Sequence, residues 1–266
     1  MISTHSYAPP NQTPVLPALN VKIGDYVLSF AQTEHALRRA QLLRFNVFNL
    51  ELGEGLSESY VLGRDEDEFD ATCHHLIITH TPSNDVIGTY RLQIAEMAAQ
   101  GHGFYSNTEF DLSTLPPEVL NGAVELGRAC IAKDHRVPQV LFLLWQGIAI
   151  YMMAFNKDYL FGCCSLTSQD PHEGKQVMTI LHAQNAIHPN LHVLPRPEFE
   201  CYPPCFQLDH PNDAKVPKLF RAYLRMGAKV LGPPAIDQQF KTIDYLVLFD
   251  RNNMSADAQK FFASGK

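Results

Sequence analysis

The segment Ala123-Val124-Glu125-Leu126-Gly127-Arg128-Ala129-Cys130-Ile131 sets an acid and a base inside what otherwise reads as a buried β-strand. A charge taken out of water costs several kcal/mol unless it is paired, so the fold must bring partners to both. Residues three apart in a regular strand point to opposite faces. Glu125 and Arg128 therefore share a face only if the strand is irregular, and Gly127 between them is the residue type that supplies a bulge. Such a bulge also frees a backbone amide from the ladder. Two readings stay open from the residues alone: an ion pair that holds a sheet together, or the centre of a site.

The rest of the chain supplies layers for that strand. At 266 residues it makes one large domain or two small ones. Residues 1–20, with Pro9, Pro10, Pro14 and Pro17, read as an extended lead-in; 21–251 read as the folded domain and 252–266 as a helical tail. Tyr26–Phe30 is a strand, after which Thr33 caps a helix with Leu37, Ala40, Leu43 and Val47 on one side and Arg38, Arg39 and Arg44 along it. An acidic loop, Asp65-Glu66-Asp67-Glu68-Phe69-Asp70, precedes a hairpin of His75–His80 and Val86–Leu92. Pro138 opens a long apolar helix running to Phe155. The apolar run within it, Val140 to Phe155, is interrupted by Gln146 and shorter than the roughly 17–25 residues of a bilayer span, so it reads as a buried helix. Tyr159–Cys163 is the next strand, His172–Ala186 a helix, and a further helix starts near Pro217. On this last helix Lys218, Arg221 and Arg225 fall on one face, and Leu219, Phe220, Tyr223 and Leu224 on the other. Ala228–Leu231 and Tyr245–Phe249 close the chain. This order predicts an α/β fold in which helices flank a mixed sheet.

Composition excludes several classes of function. Twenty-one Lys and Arg against 28 Asp and Glu give a formal charge of −7, the wrong sign for a protein that grips phosphate backbones, so no nucleic-acid partner is expected. The first residues lack the basic flank and apolar stretch of an export signal, and the six scattered cysteines read as reduced thiols of a cytoplasmic protein. Cys73-His74-His75 holds metal-ligand types, but successive strand residues face opposite ways, and no metal site is expected. Cys163 and Cys164 read as small buried hydrophobes, and Ser165 lies outside any Gly-x-Ser-x-Gly elbow.

Arg91 is a second charge in an apolar strand. Asp67 and Asp70 are its natural counter-ions if the acidic loop folds over the sheet, and Arg44 at the end of the first helix is placed to join them.

Taken in order, Leu43-Arg44-Phe45-Asn46-Val47-Phe48, Asp67-Glu68-Phe69-Asp70, Gly88-Thr89-Tyr90-Arg91, Phe110 and Glu125-Leu126-Gly127-Arg128 resemble the motifs of acyl-homoserine-lactone synthases and their relatives. These are acyltransferases of the GNAT fold. The helix from Pro138, the segment Leu160–Leu166, and the endings Tyr223–Lys229 and Gly232–Asp237 are similar to the ornithine-lipid N-acyltransferases, a haemolysin-like branch. The resemblance covers Tyr26 to Asp250 and implies a mixed sheet splayed between two central strands. It also implies transfer of a fatty acyl group, such as a 3-hydroxyacyl group, from acyl carrier protein to the α-amine of an amino acid, ornithine first. No tryptophan comes shortly after Phe48, where the lactone synthases carry one; the only tryptophan, Trp145, lies in the apolar helix. The loop where relatives that use coenzyme A cradle pyrophosphate would fall at Arg136-Val137-Pro138-Gln139-Val140-Leu141, which lacks the required glycines. No bound cofactor is therefore expected, with acyl carrier protein as co-substrate and partner.

On this reading Glu125 and Arg128 are the catalytic pair, Arg128 orienting Glu125 as base, and the amide near Gly127 receives the thioester oxygen. Arg44, Asp67, Asp70, Arg91 and Phe110 shape the acceptor pocket, and Phe142 and Trp145 line an acyl channel. Lys218, Arg221 and Arg225 dock the acidic carrier or anionic headgroups, with peripheral attachment at the inner membrane. The alternatives are acylation of glycine or tyrosine, lactone synthesis, or a non-catalytic acyl-binding or membrane-active protein.

Overall fold

A computed structural model describes residues 14–208, 214–256 and 258–259. Residues 14–20 of the lead-in carry no helix or strand, while its first thirteen residues and most of the proposed tail lie outside the described residues. The chain forms β1 (Val21–Ile23), β2 (Tyr26–Phe30), α1 (Glu34–Phe45), α2 (Glu58–Leu62), β3 (His74–His80), β4 (Asp85–Ile94), α3 (Ala95–Ala98), α4 (Pro117–Asn121), β5 (Ala123–Ile131), α5 (Pro138–Ala154), β6 (Tyr159–Leu166), α6 (Pro171–Ala183), α7 (Lys218–Met226), β7 (Lys229–Val230), β8 (Ala235–Asp237) and β9 (Thr242–Asp250). Local chemistry sets the boundaries as read from the sequence. The Thr33 side chain accepts from the Ala36 amide, 3.1 Å away, at the start of α1. Pro138 occupies the first turn of α5, where its missing N–H costs nothing.

One mixed sheet runs β1-β2-β3-β4-β5-β6-β9-β7, with β8 also on β9. Every pairing is antiparallel except β5 with β6, and that parallel ladder lasts only from Ala123↔Tyr159 to Glu125↔Phe161. Beyond it the two strands diverge, β5 to Ile131 and β6 to Leu166. The sheet is thus splayed at its centre, as the resemblance implied. Each half keeps its own core. Apolar residues of α5 pack on β2–β5, with Leu76, Tyr90, Leu92, Leu143 and Leu144 at most 1% exposed. On the other side of the gap, α6 and α7 pack on β9 through Val177, Leu181, Phe220 and Tyr245. Two folded halves meeting at a short ladder leave a slot at the one place where neither closes over the other.

Candidate active site

The strand β5 is irregular where its sequence demands it. Arg91 pairs with Gly127 and Thr89 with Cys130, so Arg128 and Ala129 together oppose Tyr90. The irregular backbone belongs to Arg128, at φ +48°, and not to Gly127 as expected. A left-handed arginine is uncommon and strained, and here the strain turns its side chain onto the face that Glu125 and Gly127 already share.

The two charges do not pair with each other. Both Glu125 oxygens are held by backbone donors: the Tyr105 amide at 2.8 Å and the Ser106 amide at 2.7 Å. Burial pushes the Glu125 carboxyl above its ordinary range, an effect these amides and Arg91 only partly offset. Arg128 instead forms an ion pair with buried Asp65, with Nε 3.2 Å from Oδ1, and its guanidinium lies between Phe48 and Phe240, 4.7 and 4.4 Å from their ring centres. The expectation that Arg128 orients Glu125 is therefore corrected: residues 105–106 do so. Phe48 reaches Arg128 because α1 runs on into a π-turn over Asn46–Glu51, marked by Leu52 N–H donating to the Val47 carbonyl.

The acidic loop does fold over the sheet. Arg91 Nη1 contacts both Asp67 oxygens at 2.5 and 2.6 Å and Asp70 at 3.2 Å; Arg44 bonds Asp65 through Nε at 2.6 Å and Asp70 through both terminal nitrogens at 2.8 and 2.7 Å. Burial alone would raise the Asp70 carboxyl, but the charge and hydrogen bonds of Arg44, then Arg91, hold it well below its ordinary range. Arg44 is wholly buried and its donors are spent on Asp65 and Asp70, so it braces the loop and does not reach a ligand. Asp67 and Asp70 are likewise engaged by these arginines, and neither lines the central cavity. Arg91 does line it. Its Nη2 is buried and has no hydrogen-bond partner.

A cavity of about 390 Å³ fills the slot between β5 and β6. One end is polar, with Glu54, Arg91, Gln93, Glu109, Glu125, Arg128 and Asp244 on the face of the sheet that carries the acidic loop. The other end is apolar, lined by Trp145 and Ile148 of α5, Leu160 and Cys164 of β6, and Leu219, Phe220, Tyr223 and Met226 of α7. The Tyr90 and Tyr223 hydroxyls are hydrogen-bonded to each other there, and the Trp145 and Tyr223 rings lie 6.1 Å apart. Gly127 lies in the wall. Trp145 lines the cavity, whereas Phe142 is 40% exposed on the outer side of α5 and does not line it. Phe110 is also corrected: it is wholly buried in an apolar cluster with Leu112, Leu115 and Val119, away from the lining. Lys218, Arg221 and Arg225 are exposed on the outer face of α7, whose inner face covers the apolar end. His74 bonds the Tyr151 hydroxyl and His75 the Asp70 carbonyl, on opposite faces of β3. Cys163 lies in the lining, but burial and neighbouring carboxylates push its thiol far up, which disfavours a thiolate nucleophile.

The polar end holds groups the sequence reading passed over. Glu109, Asp237 and Asp244 come from three separate segments, are all at least 96% buried, and bring one carboxylate oxygen each within 4.8 Å of the others. Burial, then the like charges of Asp244 and Asp237, push Glu109 well above its ordinary range. Asp244 is raised to about 6 by burial and the charges of Asp237 and Glu54, against hydrogen bonds from Ser165 and Thr242. Asp244 carried the same signal as Glu125: an acid at an inward position of an apolar strand.

A sheet parted at one parallel pair, a cavity running through the part, and a buried carboxylate beside it define an acyltransferase of the GNAT class. Residues 43–146 match the family model of the acetyltransferase (GNAT) domain. The L-ornithine N(alpha)-acyltransferase of Brucella abortus is 30% identical over 88% of this chain and 88% of its own. That of Rhodobacter capsulatus is 30% identical over 89% and 94%. The fold matches the structure of an N-acyl amino acid synthase from uncultured soil microbes at TM-score 0.51 and 11% identity, over 88% of this chain and 97% of that one. The chain belongs to the family of L-ornithine N(alpha)-acyltransferases, and it is an enzyme that transfers an acyl group.

Proposed function

We propose that the protein transfers a fatty acyl group from the pantetheine thioester of acyl carrier protein to the α-amine of L-ornithine. The observation that carries this reading is the single cavity that passes from an apolar end under α7 to a polar end holding Glu125 and the unpartnered Nη2 of Arg91. The aliphatic chain takes the apolar end, where burial of methylenes supplies binding energy. The acceptor carboxylate takes Arg91. Its ammonium gives a proton to Glu125, directly or through one water, and burial has already made that carboxylate a stronger base. The freed amine attacks the thioester carbon. A β5 amide near Gly127, where β6 offers no paired residue, stabilises the oxyanion. On collapse the nitrogen gives its second surplus proton to the departing pantetheine thiolate, which leaves as the thiol, and the proton held by Glu125 returns to solvent as the amide forms.

Carrier protein is favoured over free coenzyme A because Arg136, at the start of the would-be pyrophosphate cradle, is held in a two-pronged pair with Glu51 at 2.6 and 2.7 Å. An acidic carrier meets Lys218, Arg221 and Arg225 beside the apolar end. The product is a one-chain amphiphile. No helix among the described residues is long and apolar enough to cross a membrane, and exposed Leu50, Val61 and Leu62, close in sequence to the cavity residue Leu52, supply a surface for peripheral contact. The test is mass spectrometry of products from 3-hydroxyacyl carrier protein and a panel of amino acids. N-acyl-ornithine is expected; release of acylated glycine, acylated tyrosine or a lactone in its place overturns the reading.

A further inference from the structure

The cavity's polar end is furnished beyond what an α-amine and a carboxylate require. Arg91 Nη2 has no partner, and neither side-chain atom of Gln93, which is 1% exposed and opposite Glu125 across the β4–β5 ladder, has one. Unmet donors and acceptors so deeply buried are costly unless a ligand meets them. In the same lining lie Glu109 and Asp244, hydrogen-bonded to each other, with the Tyr105 hydroxyl also on Glu109. Beside them is Asp237, whose Oδ1 accepts from the Gln239 and Phe240 amides at 2.7 and 3.0 Å. None of the three acids forms an ion pair among the described residues. The arginines that neutralise the acidic loop are already committed to Asp65, Asp67 and Asp70. Three buried carboxylates without a cation, beside an arginine without a full set of acceptors, form a site still missing a ligand that is cationic at one end and anionic at the other.

We infer that Glu109 and Asp244, backed by Asp237, seat the side-chain ammonium of the acceptor, so that the enzyme selects amino acids carrying a second amine. The inference rests on the proposed function and deepens it. Arg91 fixes the carboxylate, Glu125 faces the reacting amine, and the trio receives the terminal ammonium, which donates to oxygens that otherwise repel one another. An acceptor with a neutral side chain leaves the three acids buried without a cation, which makes the discrimination steep.

The test compares L-ornithine with L-norvaline, which has the same carbon chain and no terminal amine, as acceptors for the full-length enzyme with acyl carrier protein as donor. The wild-type kcat/KM ratio is expected to favour ornithine by roughly a hundredfold or more. Asp244→Asn and Glu109→Gln, each near-isosteric, are expected to cut the ratio by about ten- to a hundredfold, chiefly through the KM for ornithine. Both variants are read so that a folding failure in one leaves the other decisive. Wild-type melting temperature is measured with each amino acid, and with Mg2+ alone and Ca2+ alone. Ornithine is expected to raise it and norvaline not. Equal use of norvaline by the wild type, or an unchanged ratio in folded variants, overturns the seat while N-acyl transfer stands. A melting rise with a divalent ion but not with ornithine makes the trio a metal site and overturns it too. If no amino acid is acylated although ornithine raises the melting temperature, the seat stands and the proposed reaction falls.

Discussion

Gly162 of β6 approaches Leu126 of β5 so closely that a β-carbon on the glycine would lie 2.2 Å from the leucine carbonyl oxygen. The contact sits one residue beyond the last paired residues, Glu125↔Phe161, at the apex where the sheet opens. Gly162→Ala must push the strands apart there. The expected cost is about 1–3 kcal/mol, read as a lower urea midpoint with an unchanged slope. A midpoint equal to wild type would show that the apex yields without strain.

Glu125→Gln separates the base from its supports. A glutamine can accept one of the two backbone amides that hold Glu125, but it turns an NH2 group toward the other. A stability loss of about 1–2 kcal/mol is expected, with kcat reduced about 10²- to 10⁴-fold. Retained turnover in the folded variant would remove Glu125 from proton transfer.

Arg44 tests the acidic loop. Arg44→Met leaves Asp65 and Asp70 buried without their main cation, at an expected cost of about 3–5 kcal/mol at neutral pH. Asp70 has a depressed pKa, so the stability it contributes is present above the ordinary carboxylate value and lost as pH falls through its own lower value. The variant's penalty should therefore shrink as pH falls below about 4, where wild type itself loses the contribution of Asp70. Thermal unfolding of both proteins across pH measures the difference.

Asp244 has the opposite sign. Its pKa is raised to about 6, so its contribution is full below the ordinary carboxylate value and lost as pH rises through 6. Asp244→Asn does not titrate, so it should gain on wild type, by at most about 3 kcal/mol, as pH rises from about 4 to 7 and hold a constant difference above that. A stability difference that is flat with pH would show that the buried acid is not charging.

The outer face of α7 is tested by charge reversal. Arg221→Glu with Arg225→Glu should raise the KM for acyl carrier protein about tenfold, and the gap from wild type should narrow as salt screens the attraction. Rates with an acyl-pantetheine donor, which lacks the carrier, should move far less. Equal effects on both donors would place the docking surface elsewhere.

The sequence by itself determined the local elements and the charges that had to be answered. Period-two runs gave β3, β4 and β5, Pro138 gave the start of α5, and the buried charges Arg91, Glu125 and Arg128 marked the centre of the sheet before any strand order was known. Alternation along a strand is a local property, so it survives in one dimension. Which charge meets which does not. Glu125 is answered by amides some 20 residues upstream in the chain, and Arg128 by Asp65, 63 residues away. Glu109 lies far along the chain from Asp237 and Asp244, and the three become one cluster only when β8 and β9 close against the 105–110 loop. Sequence spacing says nothing of such meetings, because they are set by how layers stack across a parted sheet. For the same reason Phe142 looked equivalent to Trp145 in the sequence and Phe110 read as an acceptor-pocket residue, yet tertiary packing sent Phe110 into an apolar core, Phe142 toward solvent and, of the three, only Trp145 into the cavity.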